Sequence, residues 1–142
     1  MNTTIFAAIL DLLRSDTGLV SLLGGAYVYR SHGVTPARIP SVTLLENNES
    51  SKLRTGYNTR RDRDNSPVLQ VDVWIDTNQP DPPCTGEDAD MIAEQIDKAL
   101  FAPGAVPGTR SWTRNSGTTQ NDEDIGGVHK ALRYSFAYKL TD

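Results

Sequence analysis

The sequence holds a single cysteine, Cys84, so no disulfide can form within the chain. Cys84 follows Pro82-Pro83 with no Cys or His at ligand spacing, and reads as an incidental thiol in a reducing cytoplasm. Histidine is almost as scarce. His32 and His129 stand far apart, and neither belongs to a metal-spaced set. The apolar run near the start, Ile5-Phe6-Ala7-Ala8-Ile9-Leu10, is cut by Asp11 and Arg14 and is too short to span a bilayer. No basic stretch precedes it and no small-residue cleavage site follows, so neither a signal peptide nor a membrane partner is expected. No glycine-rich loop leads into a lysine as a phosphate cradle requires, and no serine sits in a nucleophile elbow.

Excess positive charge is missing too. Fourteen Lys and Arg against 18 Asp and Glu give a formal charge of −4, which argues against bulk attraction to nucleic acid or anionic lipid. With 142 residues, 37% of them hydrophobic and 23% charged, the chain suits one soluble domain, 1–142, around a single core.

What is present is patterned. In the stretch Ser66–Asp76, Leu69, Val71, Val73 and Ile75 alternate with Gln70, Asp72, Trp74 and Asp76, the period of a half-buried strand. One side should pack on a core, and the other should be wet or meet a partner. A second such strand covers Lys130–Leu140, where Leu132, Tyr134, Phe136 and Tyr138 alternate with smaller or polar residues. Between them lies the main helix. Thr85 caps it, Glu87, Asp88 and Asp90 suit its positive end, and Ala89, Ile92, Ala93, Ile96, Ala99 and Leu100 form its buried stripe. Glu94, Asp97 and Lys98 should face water, and Pro103-Gly104 ends it.

Before the central strand, Asn2 or Thr3 opens a helix to about Arg14, and Leu19–Leu23 forms a short helical turn stopped by Gly24-Gly25. Tyr27–Tyr29 and Ser41–Glu46 read as strands around a proline-rich loop. Thr109–Asn115 reads as another strand, followed by a polar, acidic loop to Gly127. That loop lacks the ligand spacing and the terminal glutamate of a calcium-binding loop, so a solvated turn is expected and no metal. The fold class is therefore α+β. It should have a mixed, mostly antiparallel sheet of four to five strands, with one long and one or two N-terminal helices on one face. No set of residues has the arrangement of a catalytic centre, so no enzyme and no cofactor are expected.

The stretch Asn47–Ser66 stands apart. It has few apolar residues, and twenty residues without a core-facing pattern is long for a turn, so it should be a protruding β-hairpin arm between antiparallel strands. It carries Lys52, Arg54, Arg60, Arg61 and Arg63 against Glu49, Asp62 and Asp64. Tyr57 is its one aromatic, which gives little support for base stacking, so a protein contact is favoured over DNA. Lys52, Arg54, Tyr57, Arg60, Arg61 and Arg63 are the candidate interface residues.

Several stretches together resemble the tail terminator, or tail completion, proteins of long-tailed bacteriophages. They are the opening helix with Ser15–Gly24, then Val28-Tyr29-Arg30, the proline-led Ile39–Leu44, the Leu69–Ile75 strand, the Ala89–Leu100 helix and the terminal strand after His129. The resemblance covers nearly the whole chain but rests on structural patterns, and neither the arm nor Gly126-Gly127 matches it. It implies a virion protein, assembled in the host cytoplasm, that forms a homo-hexameric ring on the tail tube and stops its polymerisation. The implied partners are the tail tube protein and the head–tail connector, with DNA passing through the lumen without specific binding. Six copies at −4 each would carry −24, which would let DNA slide. The alternatives are a neck adaptor bound to the portal and a small cytoplasmic enzyme of ferredoxin-like shape.

Overall fold

The computed structural model describes residues 3–31, 40–47, 64–65, 68–76, 86–122 and 127–139. Apolar residues at three- and four-residue spacing make the first helix, α1 (Thr3–Ser15), which buries Ile5, Phe6, Ile9 and Leu13. Near its end Arg14 Nε donates 2.9 Å to the Val28 carbonyl, tying the helix to the first strand. Helix α2 (Thr17–Leu23) starts where the Asp16 carboxylate accepts from the Leu19 amide at 2.9 Å. It stops at Gly24, whose φ of 78° a side chain would strain.

The strands are β1 (Val28–Arg30), β2 (Ser41–Asn47), β3 (Asp64–Asn65), β4 (Val68–Asp76), β5 (Thr109–Asp122) and β6 (Gly127–Lys139); α3 (Gly86–Phe101) lies between β4 and β5. β1 runs parallel to β2, and every other pairing is antiparallel. β3 pairs with β6 in the register that β4 uses, so the two share one side of β6 while β5 takes the other. The sheet is thus five strands wide, mixed, and ordered β1-β2-β4-β6-β5. Gly127 opens β6 against the end of β4. A Cβ there would lie 1.9 Å from the Ile75 carbonyl oxygen, so the strands can meet only at a glycine.

Helices cover one face. Val42 and Leu44 from β2, Leu69, Val71, Val73 and Ile75 from β4, and Val128, Leu132 and Tyr134 from β6 are buried there. Ile92, Ile96 and Leu100 of α3, with Ile9, Leu13, Leu19 and Leu23 of the first two helices, complete the core. Gln95 Nε2 donates 2.9 Å to Asp16, fastening α3 to the cap of α2. Among the described residues, no helix is long and apolar enough to cross a membrane.

The α+β class, the mixed sheet and the three helices match the sequence expectation, and three details differ. The first strand is shifted one residue, to Val28–Arg30. β5 continues to Asp122 where an acidic loop was expected after Asn115, because its backbone pairs with β6 down to Gly127. Two register shifts, between Arg110 and Thr113 and between Arg114 and Ser116, hid that length from an alternating pattern. Ser111, at a φ of 59°, sits in the first of them and lets Trp112 stack on Phe136, with centroids 4.2 Å apart. The arm expected over Asn47–Ser66 lies mostly outside the described residues, which include of it only Asn47, at the end of β2, and Asp64-Asn65, which form β3. Asp97, expected to face water, is instead bonded at both carboxylate oxygens, as described next.

Candidate functional site: the helix-free face of the sheet

Strand alternation sends Gln70, Asp72 and Trp74 of β4 away from the helices, together with Ser41, Thr43 and Leu45 of β2 and the odd-numbered residues of β6 from His129 onward. Register then decides who meets. Trp74 stands opposite His129, and Thr43 stands opposite Asp72. The indole and imidazole rings stack at 4.0 Å with an interplanar angle of 4°. The same imidazole bonds through Nε2 to Asp72 Oδ1 at 2.8 Å. Because a carboxylate accepts, Nε2 carries the proton and donates. Gln70 Nε2 donates to both Asp72 oxygens, at 3.2 and 3.1 Å, and Trp74 Nε1 donates to Thr43 Oγ1 at 2.9 Å.

These bonds permit burial. Asp72 is 5% exposed, which a carboxyl tolerates only when its oxygens have partners. Ser41 is also buried, and among the described residues its hydroxyl has no hydrogen-bond partner. A histidine on a carboxylate supplies two of the three members of a nucleophilic triad. The Thr43 hydroxyl oxygen is engaged by Trp74, and Trp74 covers one face of the imidazole. What results is a hydrogen-bonded patch with an aromatic centre. Leu45 at 38% exposure and the exposed Arg133 border it, a composition suited to meeting protein. Among the described residues, no three of His, Cys, Asp or Glu gather as metal ligands would.

The opposite face uses polar bonds differently, as tethers between layers. Tyr134 Oη donates 2.5 Å to Asp97 Oδ1, and Arg114 Nη1 lies 2.9 Å from Asp97 Oδ2. Burial, reinforced by the neighbouring Asp97 carboxylate, pushes the Tyr134 phenol well above its usual range. Lys130 reaches across to Asp90 near the start of α3.

The interface candidates Lys52, Arg54, Tyr57, Arg60, Arg61 and Arg63 lie outside the described residues. Sequence reasoning placed Gln70, Asp72 and Trp74 on the outward side and left His129 as an isolated histidine. The only signal for their meeting was two alternating strands of opposite direction. Which residue of one faces which residue of the other is a register question, and no local pattern fixes it.

No family model matches the chain, and no curated protein matches it in sequence. Among solved structures, a chain described as belonging to the virion of a native gene transfer agent particle shares the fold. The TM-score is 0.64 at 20% identity, and the match covers 93% of this chain and 92% of that one. The likeness is therefore one of fold, and it extends over nearly the whole of both chains.

Proposed function

We infer that this protein is a structural component of a phage-like virion, and specifically a tail terminator. In that role it forms a six-fold ring on the tail tube, stops its growth and offers a surface to the head–tail connector. The observation that carries the reading is the fold shared over 93% of this chain and 92% of a virion chain. Two further features support it. The helix-free face carries a hydrogen-bonded patch in which His129 is bonded to Asp72 and stacked on Trp74. The sequence also resembles tail terminators from its first helix to its last strand.

In this reading Lys52, Arg54, Tyr57, Arg60, Arg61 and Arg63 contact the neighbouring subunit or the tube. DNA crosses a lumen that the net charge makes non-adhesive. Binding tests separate this reading from a neck adaptor. Purified protein should bind isolated tails and not DNA-filled heads that lack tails. Binding to such heads alone would move it to the portal side.

A further inference from the structure

Helix α3 carries a line of exposed residues, of which Phe101 also touches its own domain, edge-on against Tyr134 with ring centroids 6.0 Å apart. Glu87, Met91, Glu94, Lys98 and Phe101 follow one another in steps of four and three, so they share one ridge along the helix. Two of them are large apolar side chains in water, Met91 at 48% and Phe101 at 41% exposure. Between those two stand a carboxylate and an ammonium, Glu94 and Lys98. Among the described residues neither takes part in an ion pair, although their spacing within the helix would allow one.

The order of these residues is self-complementary. If a second α3 is laid antiparallel about a two-fold axis level with Ile96, Met91 meets Phe101 of the second copy. Glu94 then meets Lys98 of the second copy, and the axis repeats both contacts. A parallel pairing in register would set Glu94 against Glu94, so charge selects the antiparallel one. A shallow cavity of about 190 Å³ lies beside Phe101, lined by Leu100, Val106 and Trp112 together with the polar Thr109, Arg110 and Ser111. The unbranched Met91 thioether of a second copy could pack on its apolar part, Leu100, Val106 and Trp112.

We propose that this ridge of α3 is an isologous docking face for a second copy of the same chain, held by two Met91–Phe101 contacts flanking two Glu94–Lys98 ion pairs. The contact doubles the mass of whatever unit carries it, a single chain or a ring, so it stands apart from the ring reading. One helix pair is a small interface, and the association should be weak and reversible.

Sedimentation velocity of the full chain over a concentration series tests it. The sedimenting mass should double as concentration rises, and added salt should shift the midpoint of that doubling upward. E94K places lysines on both sides of each ion-pair layer and should raise the midpoint about tenfold. E94K/K98E reverses both charges and should return it to within about threefold of the parent. M91E should weaken the doubling regardless of charge. All four side chains are exposed, so each variant should melt as the parent does at low concentration, which separates lost docking from lost folding. No doubling in the parent would overturn the proposal, and so would an E94K/K98E variant as weak as E94K.

Discussion

The two faces of strand β4 are stabilised by different chemistry. On the helix side, Leu69, Val71, Val73 and Ile75 are fully buried against hydrocarbon from α3 and β6, and removal from water holds them. On the other side Asp72 is nearly as buried, yet it is surrounded by Gln70, His129 and Trp74. Apolar contact is tolerant of small shifts, whereas a stacked and hydrogen-bonded patch fixes where each side chain points. One strand therefore serves a core on one side and a pre-ordered surface on the other. That division is what a subunit needs if it must fold alone and then dock.

The sharpest way to break the helix side is Ile96→Asp, which would place an unpaired carboxylate in the core at a position with no exposure. The expected loss is about 4–5 kcal/mol, enough to unfold a marginal domain. Thermal melting followed by circular dichroism reads it directly. A variant that melted like its parent would mean α3 is not packed as described.

The outer face should respond next. His129→Ala removes the stack on Trp74 and one of the donors to buried Asp72, and should cost about 2–3 kcal/mol in denaturant unfolding. An ordinary surface substitution stays within about 0.5 kcal/mol, so a value that small would show the patch to be decoration. Trp74→Phe is the gentler companion. It keeps a ring beside His129 and loses the bond to Thr43, for about 1 kcal/mol.

Tyr134→Phe examines a tether on the helix side. Removing the hydroxyl leaves Asp97 with Arg114 alone and should cost about 1.5–2 kcal/mol. It also carries a pH signature. The folded phenol is held protonated above its ordinary value of 10.0, so the unfolded chain releases its proton first as pH rises. The parent should therefore lose stability above about pH 10, a loss fully absent below that pH, and the phenylalanine variant should lack this component. Parallel curves for parent and variant from pH 9 to 11 would contradict it.

Much of this division was legible in the sequence. Period-two alternation in Leu69–Ile75 and Leu132–Tyr138 marked the strands, and the three- and four-residue spacing of Ile92, Ile96 and Leu100 marked the helix. The outer patch was legible only as a list of outward residues. His129 and Trp74 are fifty-five positions apart, and their stacking follows from a register that turn geometry and the whole sheet determine. The tail of β5 escaped for another reason. Ser116–Asp122 is polar and is held by backbone pairing to β6, so no hydrophobic period announces it. Asp97 looked like a solvent-side carboxylate because its partners, Tyr134 and Arg114, arrive from other strands.

The smallest expected effect on folding belongs to the basic stretch. Replacing Arg60, Arg61 and Arg63 together with Ser should leave the melting temperature of a single subunit nearly unchanged, since the sequence gives this stretch no core-facing pattern. Assembly should nevertheless weaken, more steeply at high salt, because the proposed ring would repeat every contact. Equal assembly of parent and variant at low and high salt would remove these arginines from the interface.

The central claim, that this subunit ends tail growth, is tested most directly by the length of tails made without it. Particles should be assembled with this chain deleted, and their tail tubes measured by electron microscopy beside those of the parent. The account predicts tubes of widely scattered, often excessive length that fail to join heads, with uniform length restored when purified protein is supplied during assembly. Tubes of normal, uniform length in its absence would contradict the account.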